Sequence, residues 1–280
     1  MMTTHDEGNL DPRMGEFKNE MFNLCTGLAN IANEIGRSQP SWGLDLADQV
    51  NAKLDKAIEN VARLPDEVAG SILQVAGAHI HTIGRLMADS FTSPAIVAPL
   101  ARSGVEYCAL LLFITRDEEP EVRTVRAARA LRVGMKIDKA HKQKDLKGFY
   151  SGLNRIVERY TRKHFIPELK HDEEKISHIV RQTSGELVGE DFYDMLSAYA
   201  HYNAWKALFQ LSAADANPTV LELDSLYFAQ KSALALAGAS LTILNYREEA
   251  STEVLREALN FQTEQFLKIG ERINDFQGSL

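Results

Sequence analysis

The chain has 280 residues, is 45% hydrophobic and carries a net charge of −8 at neutral pH. That is enough apolar material for one large core, and the acidic balance excludes a protein that coats nucleic acid over its whole surface while leaving room for a local basic region. The two cysteines, Cys25 and Cys108, fall at apolar helical positions, which points to reduced thiols in a reducing cytoplasm rather than to a disulfide.

Residues 1–15 are polar, lack the apolar stretch of a signal peptide and read as a disordered arm ahead of a single domain over 16–280. Helical spacing then dominates and strand alternation is nearly absent. Phe17, Met21, Leu24, Leu28, Ile31 and Ile35 predict a first helix, broken by Pro40 and Gly43. Leu46, Val50, Leu54, Ile58 and Val61 predict a second that ends at Pro65. A third starts there, with Asp66 and Glu67 at the positive end of its dipole. Ser93 to Arg116 reads as a central helix, apolar on every side except for Arg102 and Glu106. Its charges and the brevity of Ser232 to Tyr246 mark both greasy stretches as buried core, not membrane spans. Glu121 to Lys144 predicts the next helix, followed by one that stops near Pro167, a short one from His171 to Thr183 closed by Gly185, and a long one from Asp191 to Leu211. Thr219 to Tyr246 follows, with Ala233, Ala235, Ala237, Gly238 and Ala239 permitting close backbone approach, and the last helix carries Leu255, Leu259, Phe266 and Ile273. The expected fold class is all-α, a bundle of about nine or ten helices.

Arg102 and Glu106 are four apart and share a helix face. Inside an apolar helix such a pair must meet itself or polar neighbours, so it is either a structural pin of the core or the floor of a site. Ser197 and His201, also four apart, could supply donors to the carboxylate, although a histidine on such a face is commonly a satisfied core residue. Arg123, Arg126, Arg129, Arg132, Lys136 and Lys139 step by three and four along one helix, within a segment from Arg116 to Lys170 that holds fifteen Lys and Arg against eight Asp and Glu. That ladder could neutralise phosphates. It could equally face the acidic remainder of the protein, since no aromatic residues interleave it to stack bases.

The order of these motifs, Leu100-Ala-Arg102-Ser-Gly-Val-Glu106, the arginine ladder, then Leu196-Ser197-Ala-Tyr-Ala-His201, resembles a group of uncharacterised bacterial all-α proteins similar to the HEPN superfamily. The resemblance covers about 80–246. It implies a helical bundle with a HEPN-like core and a nucleotide- or RNA-related role in stress, defence or a toxin–antitoxin pair, and it names no substrate. Ribonucleases of the wider superfamily carry an Arg-x4-6-His signature. Here Arg159 and His164 have that spacing, but Tyr160 stands where those nucleases place a polar residue, and a chain this rich in arginine yields such a pair by chance.

His171, Glu174 and His178 have a ligand-like composition, yet three groups spread over two helical turns rarely converge on one ion, so no metal or other cofactor is expected. Gly-rich phosphate loops, CxxC pairs and nucleophile elbows are missing. Two functions of different classes remain. One is a cytoplasmic module for RNA or nucleotide, with Arg102, Glu106, Ser197 and His201 in a pocket and the arginine ladder on phosphates. The other is a structural or protein-interaction module, with those pocket residues as a sealed polar network. The first two helices and the last are expected to form a cap or a homodimer surface, away from any membrane.

Overall fold

The computed structural model describes residues 12–38, 61–88, 92–116, 119–163, 174–200, 205, 208, 212, 218–247 and 252–279, and every element among them is helical. Helix α1 spans Pro12–Arg37. Its buried residues Met14, Phe17, Met21, Leu24, Leu28, Ala32 and Ile35 step by three and four along one face. The helix thus begins inside the expected arm, because Met14 extends the apolar stripe by one turn and is itself buried. The second expected helix lies outside the described residues except for Val61, which opens a 3-10 turn, Val61–Arg63, leading into α2, Leu64–Met87. Pro65, Asp66 and Glu67 occupy the first turn of α2 as the sequence suggests.

Helix α3 is the central one, Pro94–Thr115. Ser93 caps it in extended conformation, its Oγ accepting the N–H of Ala95 at 3.3 Å. Helix α4, Pro120–Ile137, stops seven residues short of the expected Lys144. Residues 138–144 have no apolar stripe to bury, and Lys139 turns into the left-handed region with φ 59°. Helix α5 is Lys147–Lys163 and α6 is Glu174–Val188. Gly185 does not close α6. A side chain there would press to 3.1 Å from Glu190 Cγ, so this glycine serves close approach, and the stop comes at Gly189, whose φ of +92° suits only glycine and whose N–H returns to the Gly185 carbonyl at 2.8 Å. Then follow α7, Glu190–Ala200, α8, Pro218–Arg247, and α9, Glu253–Gln277.

Helices α1, α2, α3 and α8 form a ring in which each packs on the next and α8 closes back onto α1. Helix α9 lies across α1 and α8. Helices α6 and α7 cover α3 on another side, and α4 packs on α2 and α3 and carries α5 outside it. The expectation of α1 as part of a cap is therefore corrected, since Met21, Cys25, Leu28, Ala32 and Ile35 are wholly buried in the core. Only α9, among the described cap elements, sits outside the ring. The approach of α1 to α2 is close enough that a Cβ on Gly84 would lie 2.7 Å from Cys25 Cβ. In α8 the buried alanines 233, 235, 237 and 239 do admit neighbouring helices, while buried Ser225 and Ser232 donate to the carbonyls of Leu221 and Phe228, four residues back.

The core is pinned by an ion pair that sequence spacing does not show. Lys18 Nζ of α1 meets Glu222 Oε1 of α8 at 2.8 Å, with both side chains buried. Helix α3, by contrast, is not covered all round. Ala101, Gly104, Val105, Cys108 and Leu111 are buried, but Arg102, Ser103, Glu106, Tyr107 and Leu110 form a half-exposed stripe. Among the described residues α3 alone has the length and hydropathy of a candidate membrane span, and half of that window is buried by its neighbours.

Candidate functional site

The exposed stripe of α3 is one wall of an open groove of about 830 Å³. Arg102, Ser103, Glu106, Tyr107 and Leu110 line it from α3, with Val133, Lys136 and Ile137 from α4, Ser177, Val180 and Arg181 from α6, and Tyr193 from α7. One end is polar and the middle is apolar. That size falls within the roughly 300–1,000 Å³ of small-ligand sites.

At the polar end the expected pair is formed. Arg102 Nε donates to Glu106 Oε1 at 2.9 Å, one helical turn away. The pair is not sealed, since 22% of the Arg102 side chain and 34% of the Glu106 side chain remain exposed. A third residue, Tyr193, completes it by donating its hydroxyl to the same Glu106 oxygen at 2.6 Å, and the Arg102 guanidinium lies 5.8 Å from the Tyr193 ring centre. Burial works against the charge on Arg102, but the hydrogen bond and charge of Glu106 outweigh it and hold the guanidinium above its ordinary pKa. Burial first, and then the Glu106 carboxylate, push the Tyr193 phenol upward as well. The phenol is therefore a donor, not a base.

Tyr107 is braced from behind. His79 of α2 stacks on it with ring centres 5.6 Å apart and planes at 23°, and burial lowers the pKa of that imidazole. A smaller recess of about 300 Å³ adjoins the groove beside Arg181, Asp194 and the exposed His178; Arg181 Nη2 and Asp194 Oδ1 are 3.2 Å apart across it. Lys136 and Arg181 stand exposed on the groove rim.

The other expected site residues are placed differently. Ser197 lies one turn beyond Tyr193, is half-buried and spends its hydroxyl on the Tyr193 carbonyl at 2.9 Å, so it does not line the groove. His201 lies outside the described residues, as do His164 and His171 and the side chains of Arg159 and Glu174. The arginine ladder does not form a solvent-facing ribbon. Arg123, Arg126 and Arg129 are 9%, 2% and 2% exposed, and they point into the bundle with Val122 and Val125. The Arg126 guanidinium sits 5.3 Å from the Phe113 ring centre, and Arg132 donates to Asn154 Oδ1 of α5 at 3.4 Å. Val122, Val125, Arg126 and Arg129 share one face of α4 at the i, i+3, i+4, i+7 spacing, and that face is the one buried. Burial takes these three arginines out of any exposed ribbon.

Tyr193 is the residue that the sequence reading missed. It extends the Ser197–His201 series backward by four, and its ring makes it an equal member of that face. Lys136 is the fifth member of the expected basic ladder, whereas Arg181 carries no local signal, and only the packing of α4 and α6 against α3 brings the two to one groove. No protein-family model, curated protein or solved structure matches the chain.

Proposed function

We propose that the protein is a helical module that binds RNA or a nucleotide in the groove of α3, α4, α6 and α7. The observation that carries this reading is that Arg102 and Glu106 open onto a ligand-sized groove instead of being sealed. A sealed pair would have favoured the purely structural alternative. The groove offers what a nucleotide requires. Tyr107, Leu110 and Val133 give an apolar wall for a base and sugar, the Arg102–Glu106–Tyr193 set gives polar groups for a base edge, and Lys136 and Arg181 give positive charge for phosphate. Within the ladder the phosphate role thus rests with exposed Lys136 instead of the buried arginines, and Arg181 joins it from α6. The resemblance to HEPN-like proteins supports the same class of ligand, and the two buried free cysteines suit a cytoplasmic setting.

The test is titration of the protein with a labelled single-stranded RNA and with nucleoside monophosphates at low and moderate salt. Lys136→Glu with Arg181→Glu alters two exposed side chains, loses only exposed contacts such as the Arg181–Asp194 pair, and should shift the melt by no more than a few degrees while abolishing binding. Undiminished binding by that variant would refute the groove as the site.

A further inference from the structure

Within the nucleotide reading, on which this inference rests, the two oxygens of Glu106 are not equivalent. Oε1 accepts from both Arg102 Nε, at 2.9 Å, and the Tyr193 hydroxyl, at 2.6 Å. Two donors occupy both of its lone pairs. Oε2 receives no hydrogen bond among the described residues, and about a third of the side chain, 34%, is exposed on the groove wall. A carboxylate oxygen only accepts, so a ligand group seated against Oε2 must be a donor, and on the edge of a base that donor is an N–H. The other polar groups nearby do not impose that choice. Ser103 and Tyr107 carry hydroxyls that can donate or accept, and the rim cations only donate.

We infer that the groove selects bases with an exocyclic amine, cytosine, adenine and guanine, over uracil, through Glu106 Oε2. Cytosine N4, adenine N6 and guanine N2 present N–H groups to a carboxylate, whereas uracil has carbonyl oxygens at both exocyclic positions and its one edge donor, N3–H, lies between them, so a carboxylate that reaches it is set against two acceptors. A charge-assisted hydrogen bond gained in one case and an unpaired acceptor in the other correspond to a preference of about tenfold or more.

The experiment compares cytidine, adenosine and uridine 5′-monophosphates by calorimetric titration at one fixed low salt concentration, together with the N4,N4-dimethyl form of the cytidine nucleotide. CMP and AMP should bind about tenfold more tightly than UMP, and the dimethyl compound, which has lost the N–H, should fall to the level of UMP. Glu106→Gln should erase the preference, because the amide can turn a donor toward uracil, and Tyr193→Phe should keep it, because Oε2 is untouched. The wild-type ligand series stands whether or not either variant folds. Equal binding of the four nucleotides, or dimethylated CMP binding like CMP, overturns the inference and leaves the nucleotide reading intact. Failure of all four and of the labelled single-stranded RNA to bind overturns that reading itself, and binding of the RNA alone overturns the inference, because a single base is then not what the groove selects.

Discussion

Replacing Lys18 by methionine tests the central packing argument. The Lys18–Glu222 pair joins α1 to α8 across 204 positions at 2.8 Å, with side chains 8% and 1% exposed. Methionine keeps most of the lysine stem and removes its charge. Glu222 is then stranded, because its second oxygen, Oε2, is buried without a hydrogen-bond partner among the described residues, and Lys18 is what its first oxygen meets. At 2.8 Å and an effective dielectric constant of about 20, the lost attraction is about 6 kcal/mol, and measured losses for breaking one side of a buried pair are about 3–5 kcal/mol. For a chain of this size each kcal/mol lowers the melting temperature by roughly 2–4 °C, so a drop of about 6–20 °C is expected. The assay is thermal and urea unfolding followed by far-UV circular dichroism. Lys18→Met with Glu222→Leu should recover most of the loss, since a well-packed apolar pair is often as stable as the ion pair it replaces. A single variant within about 0.5 kcal/mol of wild type, or a double variant worse than the single, would refute the assignment of this pair as the core pin.

Two glycines should respond in opposite directions. Gly84→Ala places a Cβ 2.7 Å from Cys25 Cβ and 3.3 Å from the Phe22 carbonyl, so overpacking of about 1–3 kcal/mol outweighs the roughly 1 kcal/mol gain in helix propensity. Gly238→Ala meets nothing within 4 Å on an exposed face of α8 and should stabilise by about 0.5–1 kcal/mol; urea midpoints of the same sign for both variants would contradict the packing described for α1 and α2. Arg126→Glu with Arg129→Glu, two positions only 2% exposed, should unfold the protein or lower its melting temperature by more than about 10 °C. A variant that melts like wild type and loses only RNA affinity would restore the ladder as a phosphate ribbon. Burial pushes the Cys25 and Cys108 thiols from 9.0 up to about 12. The unfolded thiols ionise first, so stability is intact below pH 9 and falls as pH climbs toward 12, by about 2 kcal/mol per thiol at pH 10.5. Cys25→Ala with Cys108→Ala should flatten that decline in urea titrations at pH 8 and 10.5, and parallel declines would show the thiols to be exposed.

Much of the helical layout was legible in the residues. The stripe of α1, the Pro65 start of α2 and the Ser93 cap of α3 are local features, set by a 3.6-residue period and by orphan N–H groups within one turn. The helix ends were less legible. Gly185 looked like a stop and is a contact, because whether a glycine is needed for its φ or for its missing Cβ depends on what lies opposite. The polar run after Ile137 could have warned that α4 would end early.

The candidate site divides in the same way. The pairing of Arg102 with Glu106 followed from a spacing of four, since one turn of helix brings the two side chains together whatever surrounds them. Whether that pair would be sealed or open was a matter of which helices pack beside it, and spacing has no access to that. Tyr193 reaches Glu106 from 87 positions away, and Lys18 reaches Glu222 from 204. The arginine ladder carries the same lesson with the opposite outcome: a row of cations reads as solvent-facing until the packing of α4 on α2 and α3 turns it inward. The sequence by itself determined the all-helical class, the apolar stripes and the one-turn pair, because hydrogen bonding and side-chain period act within a few residues. Which charges are buried and which line a groove came from the packing, because that depends on the faces that distant helices bury against one another.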